Sequence, residues 1–257
     1  MRVQVVLAPN PGPFTGPGTN TWILSSDDCA VVVDPGPEIP EHRETTLHAL
    51  SSFNVVAVLV THHHPDHAPA ANGLAGHLGV PAVGPSAGVD FSPDRLISDG
   101  DVVTCGSVDV VAVATPGHTP DSTCYRAGDA LFTGDHIMGG STVIVEDMTE
   151  YLNSLRKLRE TGLGTLYPGH GSVMSDPDAV IGDYIAHRLE REAQILGAVR
   201  AGAGTVGTIV EQVYRGVDPV LHPAAALSVE AHLRKLEADG LVWFPGSGWG
   251  GAVGATP

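Results

Sequence analysis

Aromatic residues make up only 5% of this 257-residue chain, charged residues 16%, and cysteine occurs three times. Each scarcity excludes something. Few aromatics leave little material for the stacking platforms that bind single-stranded nucleic acid. Thirteen lysines and arginines face 29 aspartates and glutamates, a formal charge of −16. A surface that acidic repels nucleic-acid phosphates and acidic lipid headgroups. Cys29, Cys105 and Cys124 are odd in number and form no CxxC pair, so they build no disulfide framework. They are expected as reduced, buried thiols of a cytoplasmic protein. No apolar run approaches the roughly 18–20 residues of a membrane span. The opening Met1-Arg2-Val3-Gln4 and the turn-rich Pro9 to Gly18 carry no apolar signal-peptide core, which also predicts a cytoplasmic location and no membrane partner.

What is present suits a folded protein. Hydrophobic residues at 42% exclude a disordered chain, and the length fits one large domain with a small appendage. Short apolar runs predict strands at Val3–Leu7, Thr21–Leu24, Ala30–Val33, Val55–Val60, Val102–Thr104, Val108–Ala114, Ser122–Tyr125, Ala130–Phe132 and Thr165–Tyr167. Helices are expected over Pro40–Ser52 and Thr149–Glu160. A third follows Asp176-Pro177, an N-cap with proline at the first helical position, with Ile181, Ile185, Leu189, Ile195, Leu196 and Val199 facing inward. Strands then helix, repeated in each half, predict a layered α/β protein. Ala201-Gly202-Ala203-Gly204 reads as a joint, which divides the chain into 1–200 and 201–257. Beyond it, helices at Thr205–Tyr214 and Pro223–Ala238, and a strand at Leu241-Val242-Trp243-Phe244, make a small, mostly helical, winged-helix-like domain.

Histidine is the abundant functional residue, with 13 in all and four within six positions: His62, His63, His64 and His67. Four predicted strands end in loops that present a histidine or aspartate. Val55–Val60 leads to Thr61-His62-His63-His64-Pro65-Asp66-His67, and Val108–Ala114 to His118. Ala130–Phe132 leads to Asp135, and Thr165–Tyr167 to His170. Carboxyl ends of strands are where α/β proteins gather site residues. Imidazole and carboxylate without thiolate suit Zn²⁺, Mn²⁺ or Fe²⁺. Seven groups suffice for two ions sharing one ligand, and Asp135 is the candidate bridge. His62 and His64, two apart, point the same way in an extended segment, while His63 points away.

His62-x-His64-x-Asp66-His67 with His118, Asp135 and His170 resembles the metallo-β-lactamase superfamily, in residue type, order and spacing. Asn10-Pro11-Gly12-Pro13, Gly18-Thr19-Asn20-Thr21, Phe132-Thr133-Gly134-Asp135 and Tyr167-Pro168-Gly169-His170-Gly171 resemble the beta-lactamase-like protein two group, whose animal members are endoribonucleases. The resemblance implies a four-layer αββα sandwich. It implies one zinc on His62, His64 and His118, a second on Asp66, His67 and His170, and Asp135 between them. Asp34 resembles an acid that orients a ligand histidine. The sequence departs from the family at Ala68-Pro69-Ala70, where glycines are usual.

By that resemblance the protein is a dinuclear-zinc hydrolase using a metal-bound hydroxide, with Asp66 as the candidate proton shuttle. The substrate implied first is a phosphodiester of single-stranded RNA or a related small anion. Thioester hydrolysis of the glyoxalase II kind, β-lactam or lactone hydrolysis, and a non-catalytic metal-bound binding module are the alternatives. Asp135 is followed by His136-Ile137-Met138-Gly139-Gly140, without the basic residues that glyoxalase II uses for glutathione. Arg188 is a candidate to hold a substrate carboxylate or phosphate. From Ile195 onward Arg200, Arg215, Arg234 and Lys235 face Glu211, Asp218, Glu230, Glu237 and Asp239. That is no basic patch, so the appendage reads as a packing or homodimerisation module rather than a nucleic-acid guide.

Overall fold

A computed structural model describes residues 1–140, 143–243 and 254–255. Two sheets lie face to face. The first has six strands in sequence order: β1 (Arg2–Leu7), β2 (Asn20–Ser26), β3 (Cys29–Val33), β4 (Asn54–Leu59), β5 (Ala82–Gly84) and β6 (Arg95–Leu96). The second is ordered β11-β10-β9-β8-β7, from β7 (Val102–Cys105), β8 (Val108–Ala114), β9 (Thr123–Ala127), β10 (Ala130–Gly134) and β11 (Thr165–Pro168).

Alternation along the strands sorts the layers. In β3, Val31 and Val33 enter the core between the sheets with Leu59, Tyr125 and Phe132. Ala30 and Val32 face the other way, toward helices α1 (Pro40–Leu50) and α2 (Ala70–Leu78). On the second sheet, Leu131 and Leu166 pack under α3 (Met148–Arg159) and the start of α4 (Pro177–Arg200) through Leu152, Leu155 and Ile181. Four layers result, helix–sheet–sheet–helix. The Tyr125 hydroxyl donates to the Val60 carbonyl at 2.8 Å and pins one sheet to the other inside the core. Truncating a core leucine such as Leu155 to alanine would cost about 2–5 kcal/mol.

Beyond α4 stand α5 (Val206–Val213), a 3₁₀ turn (Pro219–Leu221), α6 (His222–Ala238) and a small hairpin of β12 (Val242–Trp243) with β13 (Gly254–Ala255). Their own core joins Ile195 and Val199 of α4 to Ile209, Val229 and Leu233. Thr205 caps α5 by accepting from the Thr208 amide. No helix among the described residues is long and apolar enough to cross a membrane.

The structure adds elements the sequence did not announce and corrects one expectation. Ala70–Leu78 is a helix that no motif announced, and Pro69 stands at its N-cap. The short β5 and β6 were also unforeseen. Leu189 is 42% exposed. The inner stripe of α4 runs through Ile181, Ile185, Arg188, Ile195 and Val199, so an arginine takes the inward position next to the leucine. Phe244, assigned to a strand from sequence, lies outside the described residues.

Candidate metal centre

The ends of four strands meet at one edge of the sandwich. β4 supplies the loop with His62, His64, Asp66 and His67; β8, β10 and β11 from the other sheet supply His118, Asp135 and His170. β10 and β11 run parallel, so Asp135 and His170 emerge side by side. Gly169 makes the closeness possible. A Cβ there would stand 2.6 Å from His67 Cε1 and 2.7 Å from Asp135 Oδ1.

The seven side chains form two groups of ligand atoms, His62, His64, His118 and Asp135, and Asp66, His67 and His170. In the first, His62 Nε2 lies 3.0 Å and His118 Nε2 3.1 Å from His64 Nδ1. In the second, His170 Nε2 lies 3.2 Å from His67 Nε2 and 3.0 Å from Asp66 Oδ2. Asp135 stands between. Its Oδ1 is 3.3 Å from both His67 Nε2 and His170 Nε2, and its Oδ2 is 3.8 Å from His118 Nε2.

The outward nitrogens of four of these histidines are held. His67 Nδ1 donates to Asp34 Oδ2 at 2.9 Å, His118 Nδ1 to the Ile144 carbonyl at 2.6 Å and His170 Nδ1 to the Gly18 carbonyl at 3.1 Å. Thr61 donates its hydroxyl to Asp34 and accepts from His62 Nδ1 at 3.0 Å. With one ring nitrogen fixed as donor, the other is left as a lone pair aimed inward, which is how a metal-ligating histidine is prepared. Asp34 holds its position with a left-handed backbone, φ 52°, which aspartate tolerates better than most residues.

Electrostatics separate the groups. Burial, and then the neighbouring His67 and His118, push His62 well below its usual value. Burial chiefly takes His64 down to about 4. Burial also opposes charge on His170, but the carboxylates of Asp135 and Asp66 beside it win and raise it to about 9. His67 is raised well above its ordinary value, because Asp135, Asp66 and Asp34 outweigh its desolvation. Burial disfavours the Asp135 carboxylate, yet His67 and His170 hold it well below the usual carboxyl range.

Divalent cations fit this donor set. Five inward imidazole nitrogens and two carboxylates converge, Asp135 Oδ1 is buried without a well-formed hydrogen bond among the described residues, and no thiol intervenes. His63 points elsewhere, as its alternation predicts. Its Nδ1 lies 2.9 Å from Asp121 Oδ1, and Asp121 Oδ2 accepts from the Ser86 hydroxyl at 2.6 Å. Asp121 lies in the same loop as His118 and gave no signal in the sequence.

A family model described as the metallo-beta-lactamase superfamily matches residues 14–170. The chain belongs to that superfamily. A second model, the beta-lactamase associated winged helix domain, matches residues 205–249. The chain is similar to a Beta-lactamase-like protein 2 homolog of Caenorhabditis elegans, 32% identical over 255 residues, covering 95% of this chain and 86% of the relative. It is also similar to an Atrochrysone carboxyl ACP thioesterase of Aspergillus chevalieri, 35% identical over 260 residues, covering 95% and 83%. A metallo-beta-lactamase family protein from Thermus thermophilus shares the fold with TM-score 0.82 at 19% identity, covering 98% of each chain. Membership makes the protein a metal-dependent hydrolase.

In this superfamily member the ligand groups open into a cavity of about 990 Å³. Its walls carry Met138, Val143 and Val145 beside the ligands, and Leu221, Ala225 and Leu227 from the C-terminal helices. Asp66, 25% exposed, is the most open of the acidic ligands. Arg188 lines this cavity but is only 2% exposed. Its Nη2 donates to the Val143 carbonyl at 2.6 Å and its guanidinium lies over the Tyr151 ring at 5.4 Å. It braces the wall through Nη2, while its Nε is buried without a hydrogen-bond partner among the described residues.

Proposed function

We propose that the protein is a metal-dependent thioesterase acting on extended apolar acyl groups. The supporting observation is the continuity of the ligand groups with a large, mostly apolar cavity. A substrate whose carbonyl sits at the ligands must run its acyl part along those walls, where burial of apolar surface stabilises it by about 25 cal/mol per Å². The thioesterase name of a 35% identical relative agrees with this reading. Single-stranded RNA, the substrate implied first by resemblance, would need stacking surfaces as well as phosphate contacts, and although Arg191 and Arg234 reach the cavity its lining is mostly apolar.

In this reading His62, His64 and His118 would hold one cation and Asp66, His67 and His170 the other, with Asp135 available to both. Zinc is the metal that the nitrogen-rich set favours, and manganese or iron suit the carboxylates as well. Such cations, when bound, activate water and polarise the substrate oxygen. The protein supplies the rest. Asp34, the Ile144 carbonyl and the Gly18 carbonyl keep the imidazoles oriented. Burial favours a neutral Asp66, but the charge of His67 and the hydrogen bond from His170 hold it ionised, below its usual range. Its openness puts an acceptor at the mouth, where it takes the proton of the attacking water and returns it to the leaving thiolate. Residues 1–200 carry this chemistry, and the chain beyond closes the cavity.

The test is a panel: zinc-loaded protein with a decanoyl N-acetylcysteamine thioester, single-stranded RNA, an acyl homoserine lactone and a chromogenic β-lactam. Thiol release is expected, abolished by chelator and lowered about 10²–10⁴-fold in Asp66→Asn. RNA cleavage that disappears in Asp66→Asn, with no thiol released, would replace this reading with the phosphodiester one. No turnover of any substrate would favour a binding module.

A further inference from the structure

At about 990 Å³ the cavity stands at the upper end of the roughly 300–1,000 Å³ usual for small-molecule sites. Much of that space depends on the C-terminal segment. Helix α6 turns Ala224, Leu227 and Ser228 toward it, positions three and four apart that share one helix face, together with Ala225. Alanines at 224 and 225 keep this face shallow where a larger side chain would fill the space. Tyr214 closes the wall and is fixed from two sides. Its hydroxyl donates to Ser228 Oγ at 3.3 Å, and the Arg191 guanidinium lies 4.2 Å from its ring centre. From the N-terminal part of the chain, Phe14 lines the same cavity while 57% exposed, a large apolar surface that an apolar substrate would cover.

We propose that α6 is a measuring wall: Ala224 and its neighbours set the bulk of acyl group admitted beside the metal ligands, so the winged-helix segment selects substrate rather than nucleic acid. This rests on the thioesterase reading for its chemistry but not for its geometry. Cationic residues are few in this segment, Arg200, Arg215, Arg234 and Lys235 after Ile195, and Arg234, which lines the cavity, has Glu230 beside it at 4.0 Å. A helix that reads phosphates would display a basic face.

Two variants push in opposite directions. Ala224→Phe narrows the wall at a half-buried position outside the tight core, and Leu227→Ala widens it at an exposed one. The ratio of kcat/KM for decanoyl over acetyl thioester is expected to fall about ten-fold or more in Ala224→Phe, the size of effect a pocket exerts on chain length. In Leu227→Ala the comparison is made with dodecanoyl over decanoyl thioester, and that ratio rises. Calorimetric titration of the metal-free protein with decanoate provides a second readout, independent of turnover, in which Ala224→Phe weakens binding. If wild type hydrolyses thioesters and both variants treat all lengths as wild type does, the measuring wall is wrong. If wild type hydrolyses none, yet Ala224→Phe still weakens decanoate binding, the wall stands and the thioesterase reading falls.

Discussion

The two groups of candidate ligands are built from similar side chains, and their surroundings shift the imidazoles in opposite directions. His62 and His64 sit in a buried, histidine-rich half where desolvation keeps them neutral, His64 down to about 4. His67 and His170 sit against Asp34, Asp66 and Asp135, and those carboxylates overcome the same burial, His170 up to about 9. The first half therefore offers bare nitrogen lone pairs. In the second the carboxylates favour the charged imidazoles, so cation binding there competes with protons. The comparison teaches a division of labour within one cavity. The half whose acid is the shared Asp135 suits holding an ion, and the half with the open Asp66 suits moving protons.

Asp135 is where the comparison should break most completely, because its two oxygens face both halves. Asp135→Ala removes a donor from each and leaves His67 and His170 with one acid fewer. Both metal equivalents are expected to fall in elemental analysis, and thioester turnover with them, by more than the roughly 10²–10⁴-fold of the Asp66→Asn proton-transfer defect. Retention of two tightly held metals would show that the halves are independent sites.

Asp34→Asn should sharpen the contrast with a smaller effect. Asparagine also tolerates the left-handed backbone at this position. Asp34 touches His67 directly but reaches His62 only through Thr61. Affinity at the Asp66, His67 and His170 half is expected to weaken about 10–100-fold in chelator competition, with the other half changed less. Equal losses at both would mean that Asp34 holds the whole loop rather than one imidazole.

The cluster of candidate ligands was legible in the sequence because chemistry and position coincide there: each stands just past an apolar strand, and tight spacing leaves few other uses for His62, His64 and His67. Asp34 was legible only by resemblance, as an acid ending a strand. Three other features were not. Helix α2 starts at a proline and is rich in alanine and glycine, with no side-chain cap to mark its start. Arg188 occupies an inward position that hydrophobicity assigns to its neighbour Leu189. The cavity wall on α6 includes Ala224, Ala225 and Ser228, small side chains whose significance lies in what they leave empty, and periodicity does not report empty space.

Asp121 offers the finest test of the comparison, since it acts on the nitrogen-rich half alone. It accepts from His63, which stands between the ligands His62 and His64, and it lies three residues from His118, so one carboxylate ties together the two loops that supply that half. The Thr123 amide adds a bond to the Thr61 carbonyl at 2.9 Å along the same seam. Removing an outer partner of a ligand typically costs about 10–100-fold in metal affinity, and here the tie is one residue further removed, so Asp121→Ala is expected near ten-fold. Only one of two metal equivalents should move, and the Asp66, His67 and His170 half should keep its affinity. Asp121→Ala combined with His63→Ala should be no worse than either alone, because both cut the same tie. Additive losses, or weakening of both equivalents together with a lower melting temperature, would show instead that Asp121 supports the fold and not the geometry of one half.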